Sequence, residues 1–264
     1  MANMLMRACV IAVAVGVVNV AAAEEPDMEM IVKSAGVAPV SFELGEVLYA
    51  NPLSSPADIA EFRVEGDAAL TFPRGCLRME NSRPPEKGRH ANFIFWCTRD
   101  FPADIALSWN FRPITDAGLA MVWVGARGQN GEDLFDPSLA PRDGNYPQYH
   151  HGDINALHVS YHRNPVAGRF QVCNVRKSYG FHMVAQGADP IPGRGEAPEP
   201  FRMRLIKCGP RVVFFINDLQ ILHWVDDGET YGPVIGGGKI GFRQMAYLIA
   251  EYSDLEVRAV RLVP

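Results

Sequence analysis

The chain has 264 residues, a formal net charge of −5, and a composition that is 48% hydrophobic and 21% charged. That is enough apolar residue to bury a core of ordinary size. The acidic balance argues against a nucleic-acid partner, whose binding needs a basic surface.

The first segment reads as a leader. Arg7 supplies a positive end, Ala8–Val20 is an apolar run and Ala21-Ala22-Ala23 is a small-residue cleavage site, the pattern of a secretory signal peptide over residues 1–23. The apolar run is too short to predict a membrane span. The expectation is an exported protein, periplasmic or extracellular. Residues 24–54 are read as an N-terminal segment joining the fold, and residues 55–264 as one domain.

Helical periodicity is scarce and strand-like alternation is everywhere. Strands are predicted near Glu61–Val64, Ala69–Phe72, Gly75–Glu80, Asn92–Thr98, Ile105–Arg112, Gly118–Ala126 and Ile154–His162. More follow near Arg169–Lys177, Phe201–Lys207, Arg211–Asn217, Leu219–Trp224, Gly238–Met245 and Ala250–Leu262. Ser55–Glu61 and Glu132–Leu139 are expected to form short helical turns. FFINDLQILHW is the clearest hairpin, two apolar runs meeting at Asn217-Asp218. Many short strands separated by turn signals predict an all-β sandwich. The long irregular stretches Ala126–Gly152 and Val184–Pro200 flank the chemically richest region.

Four cysteines follow the leader: Cys76, Cys97, Cys173 and Cys208. The loop Asn81–His90 reads as the turn of a hairpin, which would set Cys76 opposite Cys97. A Cys76–Cys97 disulfide is therefore expected, compatible with export. Cys173 and Cys208 are either a second pair or buried thiols.

Gly144–Asn164, GNYPQYHHGDINALHVSYHRN, holds four of the seven histidines. As a strand, Ile154, Ala156, His158 and Ser160 share one face, and Asn155, Leu157, Val159 and Tyr161 the other. Polar groups on a strand face that would be costly to bury unpaired point to a cleft wall. A transition-metal site is disfavoured: His158 and His162 would lie about 13 Å apart along a strand, and HEXXH is absent. No cofactor is required, and a structural calcium ion is compatible with the many carboxylates. In the next constellation Val172, Asn174 and Arg176 share a face. Arg176, with His182, Gln186 and Asp189 nearby in sequence, is suited to holding a carboxylate. In GGGKIGFRQMA, Lys239, Gly241 and Arg243 share a face, and no phosphate-loop pattern is present. Glu25, Asp27 and Glu29 spell ExDxE, but outside any strand-like run. There is no GxSxG.

GQNGEDLFDPSL, YPQYHHGDINALHVSYHR, CNVRKSYGFHMVAQGADPIP and GGGKIGFRQM, in this order, resemble the bacterial YesU-type family of the concanavalin A-like lectin/glucanase superfamily, from roughly Ser55 to Val263. The resemblance implies a jelly roll of two antiparallel sheets with a concave groove, and a carbohydrate partner from acidic-polysaccharide utilisation. It supplies no catalytic residues. The matching motifs themselves suggest a polysaccharide lyase acting by β-elimination on a uronate-containing polysaccharide or oligosaccharide. His158 or His151 would be the base, Tyr161 or Tyr149 the acid, and Arg176, Asn174 and Arg243 would neutralise the carboxylate. Tyr149, His150, Asp153, Asn155, Lys177, His182 and Gln186 complete the expected substrate-binding set. The alternatives are a lectin-like module, stacking sugars on Trp96, Trp109, Trp123 or Trp224, and a hydrolase using Asp153 with Asp189 or Glu251.

Overall fold

Runs of β-branched and aromatic residues interrupted by Gly, Pro and Asn-Asp turns leave the chain little choice but strands. The computed structural model describes residues 29–34, 37–163, 171–193 and 199–263; the leader expected over residues 1–23 lies outside them. The first strands are β1 (Glu29–Ser34), β2 (Val37–Asn51), β3 (Phe62–Glu65), β4 (Ala68–Thr71), β5 (Leu77–Asn81) and β6 (Phe93–Phe101). Then come β7 (Ile105–Pro113), β8 (Leu119–Gly128), β9 (Ile154–Tyr161), β10 (Val172–Ser178) and β11 (His182–Ala188). The last are β12 (Phe201–Cys208), β13 (Arg211–Ile216), β14 (Leu219–Val225), β15 (Gly238–Met245) and β16 (Ile249–Val263).

They form two antiparallel sheets. One has nine strands, in the order β1-β2-β16-β7-β12-β13-β14, with β5 beside the start of β16 and β4 on β5. The other has seven, in the order β11-β10-β9-β8-β15-β6-β3. Phe95, Val122, Val159, Val175 and Phe242 of the seven-stranded sheet share one core with Leu107, Trp109, Leu205, Phe214 and Val257 of the other. Each such side chain contributes about 1.5–3 kcal/mol by leaving water. The result is the all-β sandwich the alternation predicts.

Asn217 and Asp218 close the β13–β14 hairpin with φ of 48° and 64°, both left-handed, as a type I′ turn requires. Pro56–Ile59 forms the expected helical turn, whereas no helix forms over Glu132–Leu139. The Cys76–Cys97 expectation is overturned. β5 pairs with β4 and β16, while β6 pairs with β3 and β15. The loop between them therefore crosses from one sheet to the other instead of turning a hairpin, and all four cysteines are free thiols. No helix among the described residues is long and apolar enough to cross a membrane.

Candidate functional site

Alternation along the seven-stranded sheet sends half its side chains away from the core. The strand registers line these up in two rows. Arg63 lies opposite Trp96, Trp96 opposite Gly241, Gly241 opposite Trp123, Trp123 opposite His158, and His158 opposite Arg176. The neighbouring row runs Glu65, Ile94, Arg243, Met121, Ser160, Asn174, Gln186. Residues as far apart in sequence as Ile94 and Arg243, 149 positions, thus become neighbours across a sheet.

The segment between β8 and β9 packs over the middle of this face. Arg142 donates to both oxygens of Glu65 at 2.7 and 3.1 Å, and both side chains are buried. Glu65 also accepts from Trp96 Nε1 at 3.0 Å. Lys239 Nζ reaches Asp133 at 2.5 Å. Gly144 has φ +94°, and a Cβ there would lie 2.0 Å from the Asn92 carbonyl, so only glycine lets the chain pass so close. The Gly144 carbonyl accepts from Arg243 Nη2 at 2.8 Å. The next residues form a 3-10 turn, Tyr146–Tyr149, with Pro147 in its first turn. Leu134 and Tyr149 complete an apolar cluster with Trp96 and Trp123.

Tyr146 is the centre of the arrangement. Its hydroxyl is 2.8 Å from His158 Nε2, and its ring lies 4.8 Å from the Arg243 guanidinium, with Tyr149 at 5.3 Å on the same cation. Burial pushes the Tyr146 pKa up to about 12. His158 is 1% exposed and stacked on Trp123 at 4.1 Å. Burial, then the charges of Arg176 and Arg243, hold its pKa well below the usual value, so the imidazole is neutral. Arg243 is fully buried, and its pKa is drawn down to about 10 by burial.

Beside Tyr146 a pocket of roughly 380 Å³ opens, lined by Ser160, Arg163, Asn174, Arg176, Phe181 and Tyr247 among others. Arg176 lies 3.7 Å over the Phe181 ring and donates to the Phe181 carbonyl at 2.9 Å, which fixes its orientation. Gln186 Nε2 donates to Asn174 Oδ1 at 2.9 Å. The lining contains two arginines and no carboxylate.

A second pocket of roughly 530 Å³ lies at the other end of β9 and β10, lined by Asn155, Lys177, Ser178, Tyr179, His182 and Tyr231 among others. Lys177 is committed there, at 2.7 Å from Asp226 and 2.7 Å from the Gly232 carbonyl, with both ion-pair side chains buried.

The expected residues therefore divide. His158, Asn174, Arg176, Gln186 and Arg243 share one sheet face, but His158 and Arg243 lie beneath Tyr146 and Tyr149. Tyr149 is itself fully buried and accepts from the Gly144 amide at 3.0 Å. Tyr161 is not brought to the site. Odd positions of β9 point inward, and its ring packs between Trp109, Phe111 and Phe214 in the core. His150 and His151 contact each other through their Nδ1 atoms. Burial, then His151, lowers the His150 pKa to about 4. Asp153 is exposed and accepts from the Ala140 amide at 2.8 Å. Asn155, Lys177 and His182 belong to the second pocket. The carboxylates considered for hydrolysis are not paired: Glu251 lies on the nine-stranded sheet, gripped by Arg74 and Arg78 at 2.7 and 2.6 Å, and Asp189 is buried against the Ile191 amide at 3.1 Å. Among the described residues no three His, Cys, Asp or Glu side chains converge as a metal site needs. The reading from sequence missed Tyr146, Phe181, Arg163 and Glu65. Tyr146 stands in the same histidine-rich motif; Glu65 carries no local signal.

A two-sheet antiparallel sandwich with a pocketed outer face belongs to the broad class of galectin-like folds. A LamA variant from Z. galactanivorans, solved with laminaritriose and laminaritetraose, superposes with a TM-score of 0.54 at 7% identity, covering 81% of this chain and 99% of that one; this likeness is one of fold. The chain belongs to the family described as a domain of unknown function, DUF1961, which it matches over residues 46–257. It is 49% identical to the uncharacterized protein YesU of Bacillus subtilis (strain 168), over 83% of this chain and 99% of that protein. A crystal structure of a Bacillus subtilis protein of unknown function with a galectin-like fold matches with a TM-score of 0.79 and 48% identity, covering 83% and 98% of the two chains.

Proposed function

We propose that the protein binds a uronate-containing polysaccharide, seating one uronate in the pocket beside Tyr146, and cleaves it there by β-elimination. The observation that carries this reading is the pairing of Arg163 and Arg176 in a pocket with no carboxylate, on a protein whose net charge is −5. An arginine held in fixed orientation, as Arg176 is by Phe181, recognises a carboxylate, Arg163 adds positive charge, and the Asn174 amide adds a neutral donor. Phe181 and Tyr247 offer ring surface to a sugar. In the reaction the C5–H bond breaks, its electron pair forms the C4–C5 double bond, and the C4–O4 bond breaks with O4 taking a proton. Arg176 offsets the charge that develops on the carboxylate. The C5 proton passes to the Tyr146 oxygen as the phenol proton moves to neutral His158 Nε2, 2.8 Å away; Tyr146 then gives a proton to O4 and recovers its own from His158. The glycan-bound LamA neighbour supports a sugar ligand on this fold.

One observation favours binding without chemistry: His158 is 1% exposed, so its access to a substrate runs only through Tyr146. The two readings separate in one experiment. The protein is offered uronate polysaccharides while ultraviolet absorbance of the unsaturated product and binding are both recorded. A lyase gives a rise that Tyr146→Phe abolishes while binding persists. Binding with no rise establishes the lectin-like reading, and no binding to any uronate polymer overturns the proposal.

A further inference from the structure

The second pocket is larger than the first and differs from it in charge. Its two cations are already neutralised: Lys177 by Asp226 at 2.7 Å, and Arg127 by Asp100 at 3.2 Å with its Nε on the Gly237 carbonyl at 3.1 Å. What remains uncommitted is uncharged. The Ser178 hydroxyl is buried without a hydrogen-bond partner, in a residue 1% exposed. Asn155, which lines the pocket, has its Oδ1 taken by the Tyr179 amide at 2.8 Å, leaving its NH2 group as the donor it can offer. Two rings stand exposed beside these groups, Tyr179 at 48% and Tyr231 at 40%, the latter backed by His182 stacked at 4.3 Å. A few polar atoms between aromatic surfaces is the make-up of a small-ligand site. A neutral pyranose suits it, offering hydroxyls to Ser178 and Asn155 and an apolar ring face to the tyrosines.

The two pockets are joined by one structural element. The turn between β10 and β11 carries Tyr179 into the lining of the second pocket and Phe181 into that of the first. We infer that the second pocket is a subsite for neutral sugar units of the same chain whose uronate occupies the arginine pocket, so that the preferred ligand is a mixed polysaccharide and not a uniform polyuronate. This rests on the uronate reading above for its first half only.

Gly236 gives a clean test. It lines the pocket, and a Cβ added there meets nothing within 4 Å, so Gly236→Trp fills the space without crowding the backbone. Tyr231→Ala is a second variant that removes a ring instead of adding one. Binding by the full chain is measured for three probes: a free uronic acid, tetrasaccharides with one uronate and three neutral units, and wholly neutral tetrasaccharides. Both variants should weaken the mixed tetrasaccharides by about tenfold or more and leave the free uronic acid unchanged, while Arg176→Ala weakens both. Neutral tetrasaccharides bound by wild type and lost in Gly236→Trp would sustain this subsite even if uronate binding fails. Mixed and neutral tetrasaccharides bound equally by wild type and both variants, or by none of them, would overturn it.

Discussion

The outer faces of the two sheets obey the same alternation but are used differently. On the nine-stranded sheet the outward side chains form a modest cluster, Phe42, Leu44, Ile206, Val213 and Phe215 among them, and, the buried Glu251 apart, charges such as Arg202 and Asp218 pair at the surface. On the seven-stranded sheet the outward positions hold Trp96, Trp123, His158 and Arg243, all buried beneath a segment fastened by Glu65 and Arg142. The inter-sheet core does not require these residues. Bulky aromatic and cationic side chains on the far side of a sheet, roofed by a long loop, are therefore the mark of a site built onto a fold that is already complete.

The sharpest way to break the contrast is to cut the fastening. Glu65→Ala leaves Arg142 buried without its partner, and should cost about 3–5 kcal/mol in urea denaturation and abolish ligand binding. The corresponding cut on the other sheet, Arg202→Ala, removes an exposed pair and should stay within about 0.5 kcal/mol. If the two losses came out equal, the distinction between the faces would fail.

Next in size is Arg176→Ala. Losing hydrogen bonds from a charged group costs about 1.5–3 kcal/mol, so affinity for a uronate oligosaccharide should fall on the order of ten- to a hundredfold in a calorimetric titration. The melting temperature should barely move, since Arg176 has only a carbonyl and one ring as partners.

The smallest expected effect is on pH. His150 and His158 have folded pKa values below the ordinary 6.5, that of His150 at about 4. The unfolded chain therefore takes up protons first as pH falls. The stability held by their neutral forms is complete above about 6.5 and is lost progressively toward about 4. Melting temperature should decline over that window, and His158→Gln should flatten the decline. A variant that kept the full slope would show that the buried imidazole is not its source.

Much of this was legible in the chain itself. The Asn217-Asp218 turn, the long final strand and the shared face of Asn174 and Arg176 follow from local chemistry. So does the inward direction of Tyr161 and Lys177, which alternation alone separates from His158 and Arg176; assigning Tyr161 a role at the groove set that rule aside. What could not be read is what the loops do. Whether the segment after Glu80 turns back or crosses to the other sheet depends on which strands claim β5 and β6, and those partners lie far away in sequence. The role of Glu65 depends likewise on Arg142, 77 positions on. Residues 24–54 read from sequence as an N-terminal segment joining the fold, without its strands; β2 lies in it and pairs with β16 along most of its length.

The place of β16 has a consequence for how the molecule comes into being. It follows β2, β5 and β7 in the chain, yet it lies between β2 and β7 in the nine-stranded sheet. As the polypeptide emerges during synthesis, those three strands must wait with bare hydrogen-bonding edges until β16 arrives. Pairings of such long sequence separation form slowly, and waiting edges invite other chains. Premature termination before Ile249 would thus leave not a sandwich one strand shorter but one whose nine-stranded sheet is split apart.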